Sequence, residues 1–190
     1  MTQDGPAPGS WLPAWAAQGS TTELALARFD ALGGVGLADC LGRWRGAGLP
    51  TGHPLDGVLE ASGWYGKAFV DAETVHPLLF RGRNGDVAAL DPVPFLIRTV
   101  LRHPGLMRLA AGRAAFAAAR PLLRTTAPRA RLRELVHRGV LSAAMIYDGL
   151  PIIDVVRAVD RDTLVGLMDA RDLPRPFFFV LRRDGAAGGT

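Results

Sequence analysis

Cysteine is almost missing from this chain. Cys40 stands alone among 190 residues, which excludes an intramolecular disulfide and a thiolate-based zinc site. Lysine is as scarce: Lys67 is the sole example, so the net charge of +4 rests on arginine. Arginine beside abundant alanine and glycine is what a G+C-rich genome produces, so this charge does not by itself point to nucleic acid, and no nucleic-acid partner is expected. Long apolar runs are wanting too. Arginines interrupt every stretch well short of the ~18 residues a membrane-spanning helix needs. No basic segment followed by an apolar run opens the chain as a secretory leader does. A soluble, cytoplasmic protein is the expectation.

Several catalytic signatures are also absent. There is no Gly-x-Ser-x-Gly elbow for a serine nucleophile. The four histidines, His53, His76, His103 and His137, form neither an HExxH motif nor a pair spaced one helical turn apart, so no metal site is expected. Gly33-Gly-Val-Gly36 lacks the following lysine and the strand–turn–helix setting of a phosphate-binding loop.

What remains is apolar and well punctuated. At 48% apolar and 21% charged residues, the chain can bury a sizeable core. Residues 1–19 and 185–190 read as tails, disordered or loosely docked, although Trp11 and Trp15 offer anchors. Between them, residues 20–184 read as one domain. Ser20 and Glu23 stand at capping-box spacing and open a helix that Gly33-Gly34 stops. Leu41 to Leu49 alternates as a strand with glycines for close backbone approach. His53-Pro54 opens a short helix through about Ser62, followed by strand-like segments at 63–70, 75–79 and 87–90. Residues 92–124 predict two amphipathic helices broken at His103-Pro104-Gly105. From Arg98 to Arg138 there are ten arginines and one acid, Glu134, so this stretch carries the positive excess. Five runs follow at 130–138, 140–148, 152–159, 163–170 and 177–183, separated by turn residues, which predicts an antiparallel meander. Several are apolar on both faces, as in Ile152, Ile153, Val155 and Val156, and so require cover on both sides.

Gly42-Arg-Trp-Arg-Gly46 with His53-Pro-Leu and Trp64-Tyr-Gly-Lys67 resembles the bacterial family named for its GXWXG motif. Arg138 to Ile152, Met168-Asp-Ala-Arg171 and Phe177 to Arg183 resemble its usual companion, domain of unknown function 4334 (DUF4334). The matches span roughly residues 22–184 and imply no established activity. A looser likeness is to the calycins, the lipocalin-like barrels, and to the haem-binding nitrobindins, where Gly-x-Trp also starts a first strand. That likeness implies a mainly β (α+β) antiparallel barrel with a helical insertion at about 92–124. It also implies that Trp44 plugs one end under Arg182 or Arg183 from the last strand, with Gly42 and Gly46 letting the backbone approach the indole.

Such a barrel holds one ligand in its interior. An apolar small molecule, lipid, polyketide or terpenoid-like, is the expected partner, held by a carrier or sensor. Tyr147, Asp148, Asp154 and Asp169 fall within or beside apolar runs, where a carboxylate must pair, neutralise or bind something. Asp148 suits a turn; Asp154 and Asp169 contact a ligand or pair with Arg157 or Arg171. Trp64, Tyr65 and Lys67 form a second cluster, in which Lys67 is either a cation that guanidinium does not replace or a surface residue. His76, Met168 and Phe178 complete the expected ligand-binding set. The alternative is a cofactor-independent isomerase, cyclase or hydrolase using Asp154, Asp169, Tyr147 or Lys67. Haem binding through His76 or His137 is a lesser one, and no other cofactor is expected. The arginine-rich helices either cap the barrel mouth or lie on an anionic membrane surface.

Overall fold

The computed structural model describes residues 9–82 and 84–185. In chain order its elements are α1 (Leu12–Gln18), α2 (Thr22–Asp30), α3 (Leu37–Cys40), β1 (Gly42–Leu49), α4 (Val58–Ser62), β2 (Trp64–Phe69), β3 (Val75–Arg81) and β4 (Val87–Ala89). Then come α5 (Pro94–Arg102), α6 (Gly105–Arg108), α7 (Ala110–Leu123), β5 (Ala130–His137), β6 (Val140–Tyr147), β7 (Ile152–Asp160), β8 (Thr163–Ala170) and β9 (Phe177–Arg183). The five-run meander read from the sequence is β5 to β9, each within two residues of its predicted bounds.

All strand pairs are antiparallel, in the order β2-β1-β9-β8-β7-β6-β5-β3-β4, and β2 also pairs with β3. The sheet thus returns on itself as a ring, with β4 outside it along the far end of β3. The closing β2–β3 ladder is irregular on both sides of one glycine. The β2–β3 register shifts around Gly66, which sits at φ +149°, and a Cβ there would lie 1.9 Å from the Trp44 carbonyl oxygen. Only glycine fits that position.

Side chains inside the ring divide it into two halves. One half is packed solid by Trp44, Leu132, Met145, Val156, Leu164 and Leu181. Trp44 is fully buried. Its Nε1 donates to the Cys40 carbonyl at 2.7 Å, and the Arg183 guanidinium stacks 4.2 Å from its ring centroid. Arg183 also donates to the carbonyls of Leu41 and Asp39, at 2.8 Å each, tying the last strand over this end. Gly46, however, serves a different indole from the one expected. Its missing side chain makes room for Trp64, whose Cη2 lies 2.1 Å from where a Cβ would stand.

The outer face of the ring carries a second apolar cluster, in which Leu49, Val155, Val165, Leu167, Phe178 and Val180 meet Leu12, Trp15, Ala25 and Phe29. Helices α1 and α2 therefore supply the second cover that the doubly apolar strands require. Trp15 anchors α1 by donating from Nε1 to the Pro50 carbonyl at 2.9 Å and packing edge-on against Phe178. Much of the stretch read as an N-terminal tail is thus docked; residues 1–8 and 186–190 lie outside the described residues.

Three local expectations are corrected. The cap of α2 is Thr21, whose hydroxyl accepts from Leu24 N, while Ser20 is held by its own N–H on Pro50 O. The helix after His53 starts only at Val58. The Asp56 carboxylate accepts from the backbone N–H groups of Thr51 and His53, and Gly57 is left-handed at φ 78°, so residues 54–57 form turns. The segment 92–124 breaks twice, at His103-Pro104 and again at Leu109, whose ψ of 140° is extended.

Gly66→Ala is expected to cost at least about 2 kcal/mol in urea unfolding. The control Gly105→Ala, where a Cβ meets nothing within 4 Å, should stay within about 0.5 kcal/mol of the parent.

Candidate functional site

The unfilled half of the ring holds a cavity of about 150 Å³. It adjoins the packed half, since Lys67 and Asp154 in its lining are the register partners of Trp44 and Met145, and its wall is nearly all apolar. Strands supply Trp64, Leu78, Phe80, Ile152, Met168, Phe177 and Phe179. Helices cover the mouth with Val58 and Leu59 from α4, Ile97, Val100 and Leu101 from α5, Met107 from α6 and Phe116 from α7. The arginine-rich segment is thus a lid. Its apolar stripe faces inward, and its cations face out or bond carbonyls, as Arg108 does at Pro54 O and Arg120 at Arg81 O.

Set in this wall is an ion pair. Lys67 Nζ donates to Asp154 Oδ2 at 2.7 Å, and the two side chains are 4% and 2% exposed. Lys67 comes from β2 and Asp154 from β7, on opposite sides of the ring, so the bond spans the interior. A second, longer contact runs from Lys67 Nζ to Pro77 O at 3.4 Å. Around the ammonium stand the rings of Phe179, Trp64 and Tyr147, with centroids at 5.1, 5.6 and 5.8 Å. These faces partly replace the water that Lys67 loses. Burial raises the Asp154 carboxyl, and the charge and hydrogen bond of Lys67 only partly oppose that. Burial, with the Asp154 charge adding to it, pushes the Tyr147 phenol well above its ordinary value. Asp154 Oδ1 and Trp64 Nε1 are buried without any hydrogen-bond partner.

Of the residues singled out from the sequence, Trp64, Lys67, Tyr147, Asp154 and Met168 meet at this cavity. Lys67 is a buried cation and not a surface residue, and it is the partner of Asp154 in place of Arg157 or Arg171. Arg157 is buried on the outer side, over the Phe29 ring and donating to Leu32 O and His137 O. The others lie elsewhere, and strand alternation is the reason. Asp169 follows Met168 and is turned outward, opposite Ile153 and exposed. Phe178 belongs to the outer cluster, its place inside taken by Phe177 and Phe179. Tyr65 lies outside among Arg43, Arg45 and Arg81. His76 stands opposite Ala68, on the side away from Phe69 and Val75.

No imidazole or thiolate lines the cavity. Burial holds the His137 ring below its ordinary pKa, and the ring sits against Phe29 in the outer layer. The residues of this cavity therefore do not fit haem: the lining holds no imidazole or thiolate to ligate its iron, and the one amine is an ammonium donating to Asp154. Buried Cys40 is no substitute, because burial pushes its thiol up to about 12. The lid residues Ile97, Val100, Leu101 and Phe116 line the cavity but are not among the ligand-binding residues expected from the sequence; the signal for them is the apolar face of the helices expected to cap the barrel mouth.

A buried ion pair resists loss of one partner more than loss of both. Lys67→Met is expected to cost about 3–5 kcal/mol in denaturant unfolding. The double variant Lys67→Met/Asp154→Leu should recover most of that loss. Equal losses for the single and the double variant would contradict the buried geometry.

Comparison with known proteins agrees with this architecture. Residues 27–85 match the family described as GXWXG protein, and residues 128–183 match the domain of unknown function DUF4334. No curated protein matches the chain. A crystal structure of a protein from Thermomonospora curvata is similar at 32% identity and a TM-score of 0.66, covering 91% of this chain and 95% of that one. With both halves matched and a relative spanned almost end to end, the chain belongs to the family of GXWXG proteins that carry the DUF4334 domain.

Proposed function

We propose that the protein binds an apolar small molecule inside a lipocalin-like β-barrel, as a carrier or sensor. The observation that carries this reading is the unfilled, apolar half of the ring beneath the helical lid. Protein interiors ordinarily leave no void much larger than a water molecule, and side chains as large as Phe116 and Met107 border this one without closing it. The barrel reading is supported by the returning order of the strands and by Trp44 lying beneath Arg183 at one end. A cavity of about 150 Å³ is the size that takes a benzene-like guest. That favours a compact ring, such as a terpenoid or a polyketide fragment, over an extended acyl chain. In the lid segment Phe95, Leu109 and Leu122 are exposed, as are Arg98, Arg102 and Arg113. This supports loading of the cavity at an anionic lipid surface.

A monocyclic hydrocarbon or alcohol at a hundred times its dissociation constant should raise the melting temperature by about 5 to 10 °C. Native mass spectra of protein purified from its host should show a retained small molecule. No shift with any ring-sized compound, together with clean spectra, would sink the binding reading.

Asp154 supports a second reading, an isomerase. A carboxylate with its pKa raised and one oxygen unpartnered is suited to take a proton from the carbon beside a carbonyl, while Lys67 donates to the carbonyl oxygen. If so, cyclohexanone in heavy water should exchange its α-protons faster with the protein than without it. Asp154→Asn should remove the acceleration, as followed by NMR.

A further inference from the structure

The polar end of the cavity is incompletely satisfied, and the gaps have a pattern. Asp154 spends Oδ2 on Lys67, leaving Oδ1 buried without a donor; Trp64 Nε1 is buried without an acceptor. An ammonium carries three N–H groups, and Lys67 uses one on Asp154 and a second, at 3.4 Å, on Pro77 O. Native interiors leave few such atoms unpaired, because each forfeits its bonds to water.

We infer that this end of the cavity recognises a single neutral hydroxyl on the ligand. The inference rests on the binding reading above and adds the chemistry of the head group. A hydroxyl is the smallest group that donates and accepts at once. Its hydrogen can reach Asp154 Oδ1 while its oxygen accepts from the spare Lys67 N–H, since the two partners are already within 2.7 Å of each other. A ketone or ether accepts only and leaves Oδ1 orphaned. A hydrocarbon leaves every gap open. A carboxylate fails for another reason: Lys67 and Asp154 cancel, so an added anion in this apolar wall has no counter-charge. Trp64 Nε1 and the Tyr147 hydroxyl are the remaining groups beside the pair, and both are neutral. The ligand class is thus a small apolar alcohol of one ring.

The test compares three ligands of one shape by calorimetric titration: 4-methylcyclohexanol, 1,4-dimethylcyclohexane and 4-methylcyclohexanecarboxylate. The alcohol should bind about tenfold tighter than the hydrocarbon, the size of effect that one hydrogen bond to a charged group supplies, and the carboxylate weakest. In the double variant Lys67→Met/Asp154→Leu the preference for the alcohol over the hydrocarbon should vanish. Equal binding of alcohol and hydrocarbon by the parent protein overturns the head-group inference and leaves the apolar cavity reading standing. Tightest binding of the carboxylate also overturns it. If none of the three binds, the binding reading fails and this inference with it.

Discussion

Once the strands pair around a ring, each side chain on them is committed to the inside or the outside, and alternation leaves no third choice. Closure between β2 and β3 is what makes that commitment total here. An open sheet of the same strands would have two edges and one continuous apolar face; the closed ring has an interior that its own side chains must fill. They fill half. Trp44, Met145, Leu164 and their neighbours pack one end, while the other end keeps its hollow because the side chains around it stop short of meeting. The Lys67–Asp154 bond across this hollow follows from the same constraint, since β2 and β7 face each other only if the sheet closes.

An ion pair is an expensive way to join two walls. Desolvating both charges costs more than a well-packed apolar pair would, and the attraction between them repays this only with good geometry and further hydrogen bonds. Here the geometry is good and the further bonds are few. Aromatic faces shelter the ammonium, while one carboxylate oxygen has nothing. Replacing such a pair by well-packed apolar residues is often neutral or stabilising, so packing alone does not account for this one.

Much of the fold was legible because β5 to β9 are separated by Gly, Pro and Asp at regular intervals, and turns are local chemistry. The Trp44–Arg183 stack was legible through resemblance. Less could be read at the site. Asp154 and Asp169 look alike in sequence, each embedded in an apolar run; what separates them is parity, and in strands covered on both faces the apolar pattern no longer reports it. The same ambiguity placed Phe178 inside, when the Trp15 helix was already waiting outside. Lys67 could be recognised as odd from composition, yet its burial depends on β7, some 87 positions away. The docking of α1 was hidden for a related reason: a short segment rich in small residues shows its worth only against the surface it covers.

The first strand of the ring lies beside the last, with Trp44 opposite Arg183. Contacts of such long sequence separation form late, because the intervening chain must already be ordered to bring the two ends together. During synthesis, therefore, β1 leaves the ribosome long before its neighbour exists. Until β9 arrives, both β1 and β8 expose unpaired edges to any other chain that passes. A protein built this way depends on its final strand for protection as much as for shape.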